Sequence, residues 1–214
     1  MSGTDQNSVK SVVVVSAGLS QPSSTRLLAD RLVQATTERM RENGVEANVT
    51  VIELRELAHD ITNNLLTGFA SPKLQEALDA LADADGLIAV TPIFTTSYSG
   101  LFKSFIDVID PQSLTDLPVL IAATGGTERH SLALDYALRP LFSYLHAVVV
   151  PTAVFAASSD WGASTGSATT AGPSSGISGR IARAAGELAA LVRDSDRSSQ
   201  VRDPFALPTG FSPF

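Results

Sequence analysis

Three short polar stretches of this chain hold the residues best suited to chemistry, and none sets an acid, base and nucleophile in a recognisable catalytic pattern. The first, Ser16-Ala17-Gly18-Leu19-Ser20-Gln21-Pro22-Ser23-Ser24-Thr25-Arg26, carries four serines and runs into a helical pattern. Hydroxyls and free backbone N–H groups at a helix N-terminus attract an anion, assisted by the helix dipole and here by Arg26, and a monophosphate would fit. The plainer alternative is an ordinary N-cap at Ser23 or Ser24. The second, Thr91-Pro92-Ile93-Phe94-Thr95-Thr96-Ser97-Tyr98, mixes hydroxyls with an aliphatic chain and two aromatics, a surface suited to a flat, partly polar ligand. The third, Thr124-Gly125-Gly126-Thr127-Glu128-Arg129-His130, pairs two glycines. They let backbone approach a planar ligand closely and offer N–H groups to its carbonyl oxygens; taken alone, the stretch reads as a tight turn.

Much chemistry is excluded by what is missing. Zero cysteines remove disulfides, thiolate metal sites and thiol nucleophiles, so redox chemistry has to come from a bound cofactor. His59, His130 and His146 are scattered without metal-ligand spacing, and no metal is expected. The chain has neither G-x-x-x-x-G-K-[ST] nor G-x-G-x-x-G after its first strand, and no G-x-S-x-G elbow, which disfavours triphosphate, dinucleotide-fold and serine-hydrolase readings. A net charge of -7 argues against nucleic acid as a partner. No window approaches the length of a membrane span, and MSGTDQNSVK lacks a signal-peptide plan, so the expected location is cytoplasmic.

The elements that must position these stretches follow from hydrophobic pattern. Five apolar runs, Ser11 to Ser16, Glu46 to Leu54, Gly86 to Thr91, Leu117 to Thr124 and Ala147 to Phe155, read as strands. Pro92 is expected to stop the third at Thr91. Helical patterns lie between and after them: Thr25 to Asn43 closing at Gly44, one opening at Ser71-Pro72, Ser97 to Ile109, Glu128 or His130 to His146, and Ile177 to Arg193. Alternation of this kind predicts an α/β fold, a flavodoxin-like doubly wound five-stranded parallel sheet of order 2-1-3-4-5 with helices on both faces. The loops after the first and third strands then face one crevice at the topological switch. One domain is expected over 11–194, with a flexible N-terminus over 1–10 and a C-terminal tail over 195–214. The Ser/Gly-rich segment 156–179, with Trp161 inside it, reads as a loop too polar for core.

Together the three stretches describe a phosphate cradle, an aromatic-aliphatic platform and a glycine-lined wall, as a flavin mononucleotide (FMN) site requires. The chain resembles the NAD(P)H-dependent FMN reductase family, particularly reductases that feed two-component flavin monooxygenases. The matches are TPIFTTSYSGLFKSFID (Thr91 to Asp107) and ATGGTERHSLALDYALRPLFSYLHA (Ala123 to Ala147). The resemblance implies cofactor contacts from Gly18, Ser20, Ser23, Thr25 and Arg26 at the phosphate, and from Pro92, Ile93, Phe94 and Thr95 along the ribityl chain and ring. Thr124, Gly125, Gly126 and Thr127 fall at the ring's polar edge. The first loop departs from the commoner family form, which has G-S in place of Ala17-Gly18 and often an Arg near Ser20, and this implies weaker phosphate binding. The resemblance also places Tyr136 at a π-bulge in the fourth helix, at an oligomer interface. It implies FMN and NAD(P)H as cofactors, hydride transfer with no catalytic side chain, a homodimer or homotetramer, and a partner monooxygenase. A quinone, azo or chromate reductase that retains FMN is the alternative enzyme, and a flavodoxin-like electron carrier the alternative outside enzymes. Lys103 and Asp107, four apart on a helix, read as an ion pair.

Overall fold

The computed structural model describes residues 8–162 and 176–197. Val12 to Val15 form the centre of β1 (Ser8–Ser16), a run with no polar face. Val13 and Val15 enter one half of the core, Val12 and Val14 the other, as in a parallel strand covered on both sides. The same division holds along β3 (Gly86–Phe94) and β5 (Pro118–Gly125). One face is covered by α1 (Ser24–Glu42) and α7 (Gly176–Asp194). The other is covered by α2 (Ala58–Thr67), α3 (Pro72–Ala82), α4 (Gly100–Asp107) and α5 (Arg139–Tyr144).

The sheet has seven strands rather than five. Its main path adds β2 (Val45–Glu53) and β6 (Val148–Val149) in the order β2-β1-β3-β5-β6, with β4 (Ser97–Tyr98) antiparallel to β3 and β7 (Val154–Ala157) parallel to β5. The expected fifth strand is therefore split. Val149 lies opposite Val119 and Val154 opposite Ala122, and Val150 N still donates to Val119 O at 2.9 Å, so 151–153 bulge out of the ladder around Pro151. Side chains satisfy the bulge's backbone: Arg139 donates to the carbonyls of Val150 and Pro151 at 3.0 Å each, and Glu187 accepts from Thr152 N and Oγ1 at 2.7 Å each.

Pro92 does not stop β3, which runs to Phe94. Val90 C=O accepts from Ala17 N–H at 2.9 Å, and alternation turns Pro92 the same way, past Ser16 where pairing with β1 has ended. On its other side β3 still aligns Pro92 with Thr124 of β5. The missing N–H thus removes no ladder bond.

Several boundaries move. β1 begins at Ser8, inside the N-terminus read as flexible. α2 was absent from the sequence reading, and α4 starts at Gly100 behind an N-cap at Ser99. The fourth helix is composite: a 3-10 turn at Glu128–His130, a π-helix at Leu134–Leu138, then α5. Within 156–179, β7 and α6 (Ser158–Gly162) are regular. Trp161 is half-buried and packs against the α1/α7 half of the core, with the Arg31 guanidinium 4.8 Å from its ring centroid. Residues 163–175 lie outside those described, as does the tail beyond Arg197. Arg197 itself is tied to the carbonyls of Ala84, Ser113 and Thr115.

Candidate functional site

Sheet geometry brings the carboxyl ends of β1, β3 and β5 side by side. The loop after β1 leaves the sheet at Ala17 and is packed from its first residues, Ala17 and Gly18 being buried. A Cβ on Gly18 would overlap Ser23 Oγ and stand 3.2 Å from Ser23 Cβ and Thr25 Cβ. The glycine is required by the fold of the cradle itself. Ser23, not Ser24, is the N-cap of α1, its side chain accepting from Arg26 N at 3.2 Å. Ser20 is exposed. At the foot of the loop Ser16 Oγ is fully buried with no hydrogen-bond partner. Alternation from Val12 and Val14 turns it toward the α1 face. An orphaned hydroxyl beneath a helix N-terminus fits a polar ligand.

Arg26 is not a free cation. Its Nε donates to Asp30 at 2.7 Å and its Nη1 to Glu53 at 2.6 Å. The hydrogen bond to Asp30, then that to Glu53, holds its pKa above the ordinary guanidinium value. Two carboxylates more than neutralise the charge expected to face a phosphate.

Thr25 and Thr124 meet. Their Oγ1 atoms are 2.9 Å apart, both side chains buried, joining the start of α1 to the end of β5. Residues assigned to opposite ends of a ligand are thus in mutual contact on the α1 face, with Pro92 opposite Thr124.

The platform is a hairpin. Pro92 and Ile93 are buried, while Phe94 is 48% exposed. Thr95 and Thr96 turn the chain with φ of 47° and 72°. Positive φ at both central residues marks the tight hairpin class that favours Asn-Gly, and β-branched threonines are strained there. Behind the turn, Thr91 Oγ1 donates to Pro92 O at 3.0 Å and accepts from Ser99 N at 3.1 Å, which fixes the start of α4. Thr96→Gly is expected to raise stability by about 1 kcal/mol, the relief of a left-handed threonine less the greater freedom of glycine in the unfolded chain. A urea melt checks it, and a loss of stability would mean that the Thr96 side chain is doing more than filling the turn.

The glycine wall has another cause than ligand approach at one of its two positions. A Cβ on Gly125 would stand 2.7 Å from Phe155 Cζ, so Gly125 makes room for a core ring; Gly126 faces open space. Thr127 is exposed and caps the 3-10 turn by accepting from Arg129 N at 3.1 Å. Arg129 is exposed and His130 half-buried. Lys103 and Asp107 form the expected intrahelical ion pair at 2.6 Å. Tyr136 lies within the π-helix and is 79% exposed, and Leu132 and Tyr144 are exposed as well.

Two residues of this region were missed. A cavity of about 410 Å³ beside the first loop is lined by Ser20, Gln21, Ser23 and Arg26, by Arg55 just after β2, and by the carboxylates of Asp30, Glu53 and Glu56. The signal was available in the strand order: β2 borders β1, so the residues leaving β2 must stand beside the loop leaving β1. A larger cavity of about 790 Å³, bounded by Pro118 and Val148, lies where strands begin. Ligands of open α/β sheets bind beyond the opposite, carboxyl ends, so it is not the candidate site. Among the described residues no cluster of His, Cys, Asp or Glu is arranged to hold a metal, and no helix is long and apolar enough to cross a membrane.

A family profile described as NADPH-dependent FMN reductase matches residues 11–162. An FMN reductase (NADPH) of Pseudomonas aeruginosa is 41% identical over 150 residues, spanning 70% of this chain and 78% of that protein. An NADH-dependent FMN reductase of Pseudomonas putida, SfnF, is 40% identical over 149 residues, spanning 70% and 78%. A crystal structure of an oxidoreductase from Corynebacterium diphtheriae shares 48% identity at a TM-score of 0.80, covering 87% of this chain and 98% of that one.

Proposed function

Because the chain belongs to the NADPH-dependent FMN reductase family, we propose that it reduces FMN in the crevice over β1, β3 and β5 and passes the reduced flavin to a partner monooxygenase. The NAD(P)H:FMN oxidoreductase activity is that of the family; the placement and the delivery are this proposal. FMN supplies the redox chemistry, accepting hydride from the nicotinamide. The chain's own residues bind, orient and exclude water. The loop from Gly18 to Ser23 and the N-terminus of α1 offer N–H groups and hydroxyls to the phosphate. Pro92, Ile93 and Phe94 give the ring a rigid face, and Thr124 to Thr127 border its polar edge. No side-chain acid or base is needed, since stacking two rings at reacting distance is the main requirement.

The observation that carries this reading is the buried Thr25–Thr124 contact, which joins the start of α1 to the end of β5, where Pro92 of β3 is aligned with Thr124. Delivery is supported by the pairing of Arg26 with Asp30 and Glu53, which withholds from the phosphate the cation that the first turn of α1 would otherwise offer, an arrangement suited to exchange. Contact between copies, as a homodimer or homotetramer in the cytoplasm, is assigned to the exposed Leu132, Tyr136 and Tyr144, and light scattering of the purified chain reads it directly.

The test is an anaerobic titration with FMN, then with NADH or NADPH. FMN fluorescence is expected to change on binding, visible absorbance to fall on reduction, and the steady-state rate to saturate in added FMN. FMN that stays bound through purification, with quinone turnover needing no added flavin, would instead support the retained-flavin reductase.

A further inference from the structure

We propose that Arg197 is a positioning residue for the flavin site: it latches one end of α7 to the sheet, and α7 carries that constraint to Phe155, which backs the glycine wall. The proposal rests on the reading that Gly125 borders the flavin. The latch lies where strands begin. Arg197 donates to the carbonyls of Ala84, Ser113 and Thr115, in the segments that enter β3 and β5. Ser195 Oγ donates to Asp85 Oδ1 at 3.3 Å, and Asp85, fully buried, accepts from Ser11 N of β1 at 2.9 Å through its other oxygen. Lys10 Nζ donates to Ser195 O. The residues just past α7 thus tie it to the amino ends of β1, β3 and β5, the strands whose carboxyl ends form the crevice.

From the latch, α7 is held at successive points on its way to the site. Val192 packs so close to the start of β3 that a Cβ on Gly86 would stand 2.5 Å from its Cγ2. Further toward the N-terminus, Glu187 accepts from Thr152 N and Oγ1 at 2.7 Å each. In its first turns, Arg180 Nη2 donates to Phe155 O at 3.3 Å and stands 3.7 Å from Asp160 Oδ1, and the other oxygen of Asp160 accepts from Ala157 N at 2.8 Å. Phe155 is where this strut meets the site. Its Cζ would stand 2.7 Å from a Cβ on Gly125, so the ring sets how far the wall lies from the crevice. Close-packed interiors pass a displacement from one contact to the next, and rigid elements carry it over distance. Opening the latch frees the last turn of α7, slackens the ties at Glu187 and Arg180, and lets Phe155 shift behind Gly125.

Fluorescence titration of the purified full chain with FMN, well below its unfolding midpoint, tests this. Arg197→Met, which keeps an apolar stem and removes the donors, is expected to raise the FMN Kd about fivefold, within the range that residues remote from a ligand exert through packed contacts. Phe155→Leu should weaken binding as well, and adding Arg197→Met to it should cost no further affinity, because the contact through which the latch acts is already gone. Coupling of this kind is reciprocal, so saturating FMN should slow backbone hydrogen exchange in the last turn of α7 more than in the last turn of α3. That measurement uses the unaltered chain and stands even where Arg197→Met does not fold. An unchanged Kd in Arg197→Met, whatever its loss of stability in urea, overturns the proposal and leaves the flavin site standing. Additive losses in the double variant, or exchange that FMN slows equally in both helices or in neither, overturn it too. Failure of the unaltered chain to bind FMN would overturn the reading beneath it as well.

Discussion

Gly18→Ala is expected to lower stability by about 1–3 kcal/mol and to weaken FMN binding by at least about tenfold, the largest joint effect of any single methyl group in the site. The added Cβ would occupy the space of Ser23 Oγ, and it would press on Ser23 Cβ and Thr25 Cβ at 3.2 Å. Rotating Ser23 away relieves the overlap but gives up the N-cap bond to Arg26 N, a loss of about 1 kcal/mol. Leaving Ser23 in place forces the loop off the sheet, where Ala17 N is bonded to Val90 O. Either route disturbs the N–H groups at the start of α1, which are the ones proposed to meet the phosphate. Chemical denaturation and flavin titration of the same preparation separate the two losses. A variant with wild-type stability and wild-type FMN affinity would show that the loop accommodates a side chain and is not the cradle.

The parts of this structure that were legible in the sequence are those set by local hydrophobic pattern and by caps. Val12 to Val15, Leu87 to Val90 and Val119 to Ala123 read as buried parallel strands because nothing polar interrupts them, and Ser71-Pro72 opened α3 as expected. What was hidden depended on partners distant in the chain. The run from Ala147 to Phe155 is apolar apart from Thr152, yet it bulges at Pro151, because Arg139 and Glu187 can satisfy the freed backbone. The Thr95–Thr96 turn offered no Asn-Gly signal, since the conformation is imposed by the β3–β4 pairing and not by residue preference. α2 buries Ile61 but little else, so its periodicity was too weak to see. In the site the residue types were legible and their charge state was not. Arg26 reads as a phosphate ligand in the sequence, which does not show that Glu53, from the end of β2, pairs with it. Gly125 reads as a ligand wall, which does not show that Phe155 packs behind it. The π-helix around Tyr136 was legible through resemblance, since no local propensity distinguishes Leu134 to Leu138 from an ordinary helix.

Thr124→Val is expected to cost about 1–3 kcal/mol, and the reason makes the corresponding double variant more informative than either single one. The Thr25 and Thr124 hydroxyls are buried against each other at 2.9 Å. Removing one leaves the other without this bond, in a place where water does not reach it, so each single change carries a desolvation penalty. Replacing both by valine keeps a similar shape and removes the unsatisfied group, so Thr25→Val with Thr124→Val should recover most of the loss and show a coupling of about 1–2 kcal/mol. Strict additivity of the two single changes would mean that the hydroxyls do not depend on each other. FMN affinity then distinguishes two roles for the pair. If the bond only latches the start of α1 to the end of β5, affinity returns in the double variant together with stability. If either hydroxyl also touches the flavin, as the resemblance implies for both, stability returns and affinity does not. The second outcome is expected, because the pair lies on the α1 face beside Pro92, at the crevice where the first and third loops converge.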